Sequence, residues 1–224
     1  MTQQNQGAGV RAALFDLDGV ICDTDRLAQR EIRTVLESMG YSVTEALLQG
    51  LMGLDTAKTH AWLQCNLDPD FNTEAFSAAV ASGLTSVRID HEFAVPGALA
   101  LLNRFASLCP IYVTTNNELG IARHYLASMQ IDHLFTDLYA CDTRPNGKTK
   151  RHDVALVKHA HRSAANEIIF VDDRLDNCLA VNGICRPFWA PARAEEIVAA
   201  KSDMPPEVVA CETLDSVAQH IFGD

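Results

Sequence analysis

The sequence is poor in the features that mark membrane-spanning and nucleic-acid-binding proteins. Its 224 residues contain no uninterrupted apolar run near the ~20 residues that a membrane-spanning helix requires. Only 18 lysines and arginines stand against 29 acidic residues, which gives a formal net charge of −11. This charge argues against binding nucleic acid or an anionic membrane through a basic surface. We therefore expect neither among the partners of this chain.

Disulfide and zinc signals are also lacking. The seven cysteines form no Cys-x-x-Cys pair and show no Cys/His spacing typical of zinc ligands. Their number is odd and most lie in apolar surroundings, so buried, reduced thiols are expected. The first nine residues are polar and lack the apolar core of a signal peptide. These features predict a cytoplasmic protein with a flexible N terminus over residues 1–9.

One segment near the N terminus carries the strongest chemical signal. Residues 12–15 are small and apolar, as in a short buried strand, and they lead directly into Asp16, Asp18 and Gly19. Alternation along a strand would point the two acids to opposite faces, but a turn at Gly19 allows both to converge on one cavity. Two such acids repel each other unless a cation lies between them or they divide the roles of nucleophile and acid.

Three further segments have a related character. Residues 111–117 are an apolar run that ends in hydroxyl and amide side chains, residues 147–150 are a basic loop before a predicted helix, and residues 168–177 are a strand that ends in an acidic pair. Together with the Asp16 segment, they resemble in order the four motifs of the haloacid dehalogenase superfamily. The resemblance covers residues 11–190, and the ordered set is far more specific than any one motif.

The resemblance implies phosphoryl-transfer chemistry. Asp16 would attack phosphorus and form an aspartyl-phosphate, and Asp18 would protonate the leaving oxygen and later activate water. Mg²⁺ would be the cofactor, held by Asp16, by the backbone carbonyl of Asp18 and by Asp173. Asp172 is a neighbouring candidate, and Asn177 lies where the family often has a further acid.

The phosphate of the substrate would be bound by Thr115, Asn116 and a lysine. For the lysine we favour Lys148 because a glycine precedes it. The Lys-Pro run that is usual in this subgroup is absent, however, and Lys150 lies close enough to substitute.

The secondary-structure pattern predicts an α/β fold with an inserted helical domain. Residues 25–92 show helical patterning without a strand signal, whereas helices and strands alternate from Pro96 onwards, as in a parallel sheet covered by helices. The resemblance implies a Rossmann-like core, residues 10–24 and 93–224, with helices on both faces and a small all-α C1 cap like that of the β-phosphoglucomutase group. Lys58 and His60 on a cap helix are candidate substrate contacts.

We therefore expect a Mg²⁺-dependent phosphatase of small phosphorylated metabolites. A sugar phosphomutase is the first alternative, but that group usually has an arginine where this chain has Thr56. A haloalkanoic-acid dehalogenase needs no metal and usually lacks the second acid, so Asp18 and Asp173 argue against it. A non-catalytic binding or regulatory protein with the same fold is the last alternative. The particular substrate and the oligomeric state stay open.

Overall fold

The computed structural model describes residues 9–51, 56–146, 148–200 and 204–223. Residues 1–8 of the expected flexible N terminus, and Gly147 of the basic loop, lie outside these ranges. The strands are β1 (Ala12–Phe15), β2 (Ile111–Thr114), β3 (Asp137–Tyr139), β4 (Ile168–Asp172), β5 (Arg186–Trp189) and β6 (Val209–Ala210). The α-helices are α1 (Thr24–Ser38), α2 (Glu45–Leu51), α3 (Thr56–Asn66), α4 (Thr73–Ser86), α5 (Ala98–Leu108), α6 (Leu119–Ser128), α7 (Lys150–Ala160), α8 (Leu175–Val181), α9 (Glu195–Ala200) and α10 (Leu214–Phe222).

The six strands form one parallel sheet in the order β3-β2-β1-β4-β5-β6. The short apolar strand β1 lies between β2 and β4, and its last residue, Phe15, pairs with Val113 on one side and Val171 on the other. Because these strands run in the same direction and in this register, their carboxyl ends meet at one edge of the sheet. The predicted α/β class with a parallel, Rossmann-like sheet is confirmed.

Helices cover both faces of the sheet because the strand side chains alternate between them. Leu14 and Phe170 lie in a buried cluster with apolar residues of α7 and α8. Phe15 faces the opposite side, where its ring lies 5.2 Å from that of Phe105 on α5. Phe105 in turn packs edge-on against Phe222 of α10, at 5.1 Å between ring centroids. The central strands are therefore buried on both faces, as a parallel sheet requires.

The chain divides into two compact units. One contains the sheet and comprises the residues up to Asp23 and from Ile89 onwards, and the other is Thr24–Arg88. The second unit consists of α1 to α4 and has its own apolar core, formed by Val35, Leu36, Leu51, Leu63, Phe71 and Phe76. The insertion expected from the sequence was 25–92. In the part of the chain that the structure describes, no helix is long and apolar enough to cross a membrane.

The C-terminal segment extends the alternation of helices and strands, since α9, β6 and α10 follow β5. The start and end of α10 do carry local signals. Thr213 caps the helix by accepting a hydrogen bond from the Ser216 backbone N–H, and Gly223 ends it with φ of +81°.

Candidate active site

Three strand ends bring polar side chains together at the carboxyl edge of the sheet. Asp16 follows β1 directly and donates its backbone N–H to the Val171 carbonyl at 2.9 Å. Thr115 follows β2 in the same way, and Asp172 is the last residue of β4. Ligands bind at this edge in open α/β sheets, because the strands end there in loops of different direction.

The centre of the site is a cluster of three carboxylates. Oxygen atoms of Asp16, Asp172 and Asp173 all lie within 4.8 Å of one another. Burial, with the charge of Asp172 as the next contribution, raises the pKa of Asp16 well above its usual range and that of Asp173 to about 7. Lys150 opposes both shifts without cancelling them. The cluster thus has more negative charge than its own residues neutralise.

Gly19 allows Asp173 to approach the turn after Asp18. Its φ of +72° lies in the left-handed region, and a Cβ atom at this position would lie 2.4 Å from Oδ2 of Asp173. A second contact fixes the backbone of Asp173, because the Trp189 indole N–H donates to its backbone carbonyl at 2.8 Å. Gly19 therefore leaves the space that the carboxylate of Asp173 occupies.

Lys150 is the cation of the cluster. Its Nζ lies 2.5 Å from Oδ2 of Asp16 and 2.9 Å from Oδ2 of Asp172, and the side chain is 3% exposed. Burial alone lowers the pKa of Lys150, but Asp16 and Asp172 outweigh it and the pKa is raised, so the ammonium stays charged. Lys148 instead is exposed in the loop before α7, where its backbone N–H donates to the Pro145 carbonyl. The structure thus places Lys150, the alternative to Lys148, in contact with Asp16.

Helical periodicity explains why Lys150 points inward. Lys150 is the first residue of α7, and the buried residues of this helix are Lys150, Asp153, Val154 and Val157. These positions, i, i+3, i+4 and i+7, define one helical face. The face packs onto the sheet, so its first residue reaches the ends of β1 and β4.

Asp18 is held by the loop after β2. Asn117 donates from Nδ2 to both carboxylate oxygens of Asp18, at 2.8 and 3.0 Å, and Thr115 donates from Oγ1 at 3.0 Å. The Asn117 backbone N–H in turn donates to Thr115 Oγ1 at 3.0 Å. Asn116, the amide expected from the sequence, instead accepts a hydrogen bond from Arg144 at 3.3 Å. Asn117 is thus the amide that contacts the second acid, and sequence reasoning missed it.

Asp172 and Asn177 support the cluster. Asn177 on α8 donates from Nδ2 to both oxygens of Asp172, at 3.0 and 3.2 Å, and the Arg174 backbone N–H donates at 2.9 Å. Asp172 is fully buried and also accepts from Lys150. These contacts fix the carboxylate that positions Lys150 beside Asp16.

The two candidate cap residues lie in the helical unit. Lys58 is exposed on α3, and Nε2 of His60 lies 2.7 Å from Oγ of Ser77 on α4. A contact of either residue with substrate stays a prediction.

The residues of the cluster fit a hard divalent cation. Three carboxylates offer only oxygen ligands, which Mg²⁺ prefers, and their uncompensated charge favours a cation over a further acid. Asp16 and Asp173 are two of the expected ligands, and Asp172 lies beside them. The carboxylate of Asp18 faces Thr115 and Asn117, and a ligand role for its backbone carbonyl stays a prediction.

Carboxylates and a buried lysine at the carboxyl ends of a parallel sheet are typical of an enzyme active site. Sequence comparison agrees, because the haloacid dehalogenase-like hydrolase family matches residues 13–182. The chain therefore belongs to this family and is an enzyme of the hydrolase class. No curated protein gives a significant match to the chain.

Solved structures share this fold across almost the whole chain. A candidate β-phosphoglucomutase from Thermotoga maritima is 21% identical with a TM-score of 0.74, and covers 93% of this chain and 96% of its own. The candidate hydrolase YfnB from Bacillus subtilis, solved with magnesium bound, is 15% identical with a TM-score of 0.72, at 96% and 99% coverage. A predicted phosphoglycolate phosphatase from Haemophilus somnus 129pt is 16% identical with a TM-score of 0.68, at 94% and 97% coverage.

Proposed function

We propose that this protein is a Mg²⁺-dependent phosphatase that hydrolyses small phosphate monoesters through an aspartyl-phosphate on Asp16. The observation that carries the proposal is the convergence of Asp16, Asp172 and Asp173 with Lys150 at the ends of β1 and β4. Phosphoryl transfer needs an in-line nucleophile, neutralisation of the phosphate charge and a proton for the leaving group. Each requirement has a residue of matching chemistry in this site.

Asp16 supplies the nucleophile. One carboxylate oxygen forms a bond to phosphorus while the bond from phosphorus to the leaving oxygen breaks. Lys150 already contacts Asp16 and, as a buried point charge, can bind an equatorial phosphate oxygen at the same time. Thr115 Oγ1 is the proposed donor to another phosphate oxygen, with Asn117 keeping the loop in place.

Asp18 is the proposed general acid and general base. It gives a proton to the leaving oxygen in the first step and takes one from the attacking water in the second, which releases inorganic phosphate and restores Asp16. The two hydrogen bonds from Asn117 hold the carboxyl group in one orientation for both steps. The Thr115 hydroxyl donates to Asp18 in this structure and would turn to the phosphate oxygen when substrate binds.

Asp16, Asp173 and the Asp18 backbone carbonyl are the proposed ligands of Mg²⁺, with Asp172 beside them. When bound, the ion neutralises the phosphate dianion and the carboxylates that would otherwise repel it. The similarity to a structure with bound magnesium and the oxygen-only cluster support this assignment. The chain's Thr56, where the phosphomutase group usually has arginine, supports a phosphatase over a mutase. We also propose a cytoplasmic location, which the seven free thiols support.

The test is phosphate release from p-nitrophenyl phosphate by the purified protein. We expect turnover with Mg²⁺, its loss in EDTA and its recovery when Mg²⁺ is restored. Asp16→Asn should remove turnover while circular dichroism shows an intact fold. Equal activity in EDTA would reject the metal role, and a fully active Asp16→Asn would reject the nucleophile. A panel of phosphorylated metabolites, assayed in the same way, would then identify the substrate.

A further inference from the structure

A buried ion pair joins the loop before α7 to the helix that carries Lys150. Nε and Nη2 of Arg144 lie 2.8 and 2.7 Å from Oδ2 of Asp153, and the two side chains are 5% and 1% exposed. Asp153 lies one helical turn after Lys150, on the same buried face of α7. The proposed chemistry uses neither residue of this pair.

Arg144 also contacts both neighbours of Thr115. Its Nη2 donates to Oγ1 of Thr114 at 3.0 Å, and its Nη1 donates to Oδ1 of Asn116 at 3.3 Å. Thr114 closes the network by donating from Oγ1 to Oδ2 of Asp153 at 2.6 Å. One guanidinium therefore links the phosphate-side loop after β2 to the helix whose first residue is Lys150.

We propose that Arg144, acting with Asp153, is a positioning residue that sets Thr115 and Lys150 at a fixed separation around the transferred phosphoryl group. The proposal rests on the proposed function. Its physical basis is the rigid, planar fork of the guanidinium, which donates in several fixed directions at once. A lysine at the same place would keep the charge beside Asp153, but its single ammonium could not span Thr114, Asn116 and Asp153.

The buried carboxylate makes the choice of variant important. Oδ1 of Asp153 has no hydrogen-bond partner among the residues that the structure describes, and Oδ2 receives all the contacts. Truncating Arg144 would leave Asp153 with Thr114 alone, and an unpaired buried charge strongly destabilises a fold. Arg144→Lys keeps an ion pair and is therefore the main test, with Arg144→Ala as the second variant.

The surroundings of Arg144 allow a chemical rescue. A cavity of about 310 Å³ borders Arg144 and Asp153 and reaches exposed residues such as Arg123 on α6. In Arg144→Ala, a free guanidinium ion could enter through this cavity and take the place of the lost group. Arg123→Ala, on another wall of the same cavity, is the matched control.

The experiment measures kcat and KM per folded molecule for wild type, both Arg144 variants and Arg123→Ala, with p-nitrophenyl phosphate and Mg²⁺. We expect Arg144→Lys to lower kcat by about tenfold to a hundredfold, because a displacement near 1 Å can cost ~10² in rate, with a much smaller change in KM. Arg123→Ala should match wild type. Millimolar guanidinium, but not equal sodium chloride, should raise the kcat of Arg144→Ala.

The result that overturns the inference is a wild-type kcat per folded Arg144→Lys molecule, even if its melting temperature falls. That outcome would give Arg144 a structural role only. If Arg144→Ala does not fold, Arg144→Lys decides the question alone. Absence of rescue in a folded Arg144→Ala also counts against the inference. An inactive wild type would overturn the proposed function and the inference together, whereas an active wild type with an unaffected Arg144→Lys overturns the inference alone.

Discussion

Replacing Lys150 with methionine removes the cation of the site while keeping most of the side-chain volume. The structure places Nζ within 2.9 Å of both Asp16 and Asp172, in a side chain that is almost fully buried. Without the ammonium, the site holds three carboxylates, and no other basic side chain among the described residues forms an ion pair with Asp16. The substrate phosphate would then lose its proposed protein cation, and Asp16 would lose the contact that orients it.

The expected loss can be estimated from these contacts. Removing one preorganised donor from a transition-state charge typically lowers kcat by ~10²–10³, or about 2.7–4 kcal/mol. Leaving one partner of a buried pair alone typically costs about 3–5 kcal/mol of stability. The stability loss should fall at the lower end, because the raised pKa values of Asp16 and Asp173 allow these acids to take up protons instead.

The assay is Mg²⁺-dependent hydrolysis of p-nitrophenyl phosphate, with thermal unfolding followed in parallel. Lys148→Met is the matched control, because Lys148 is an exposed residue two positions away. We expect it to keep wild-type kcat and melting temperature. A strong loss in Lys148→Met with little change in Lys150→Met would refute the assignment of Lys150.

Three further predictions follow from other contacts of the core. Gly19→Ala should abolish stabilisation by Mg²⁺ and most turnover, because the new Cβ atom would collide with Asp173. Gly183→Ala is the control, since Gly183 has a similar φ but open space around it, and should cost only about 1–2 kcal/mol of stability. Equal effects of the two substitutions would contradict the steric argument. A thiol reagent should label only Cys65 and Cys141 in the native protein, because the other five thiols are buried and burial raises their pKa. Rapid labelling of a third cysteine would contradict the burial seen in the structure. The pKa of Asp173 is raised to about 7, so without Mg²⁺ its ionised form is disfavoured in the folded protein. In EDTA its contribution to the free energy of unfolding should therefore fall as pH rises up to and through 7, and Mg²⁺ should raise the melting temperature more at pH 8 than at pH 6. Asp173→Asn should reduce that difference, with the remainder due to the raised pKa of Asp16, and a variant with the full wild-type difference would contradict the argument.

The sheet and its acids were predictable from the sequence because local pattern and chemistry agree there. The run of apolar residues before Asp16 indicates a buried strand, and parallel strands that end in polar residues place those residues at one edge. Asp16, Thr115 and Asp172 all follow that rule. Residues whose position is set by the strand end itself can thus be predicted without knowing the packing of helices.

The remaining contacts depend on the direction in which a side chain points, and not only on its position in the chain. Lys150 differs from Lys148 in lying on the same helical face as Asp153. The spacing of the two residues is visible in the sequence, but it identifies the buried lysine only when the first residue of α7 is known. Asn117 contacts Asp18 because the chain bends after Thr115 and the Asn117 backbone N–H donates to Thr115 Oγ1, whereas Asn116 contacts Arg144. The direction of a side chain in a loop can therefore be predicted only when the backbone conformation is known.

The Arg144–Asp153 pair has no sequence signal of that kind. The two residues are nine apart, in a loop and a helix, and their contact with Thr114 spans a further thirty residues of chain. Only the packing of α7 against the sheet brings them together.

The most direct measurement for the central claim is the identity of the phosphorylated residue during turnover. The Asp18→Asn variant, in which water activation should be slow, is mixed with p-nitrophenyl phosphate and Mg²⁺, quenched in acid, digested and analysed by peptide mass spectrometry. The account predicts one added phosphoryl group on the peptide that contains Asp16, absent in Asp16→Asn and in EDTA. Phosphate release in wild type with a phosphoryl group on another residue would contradict it.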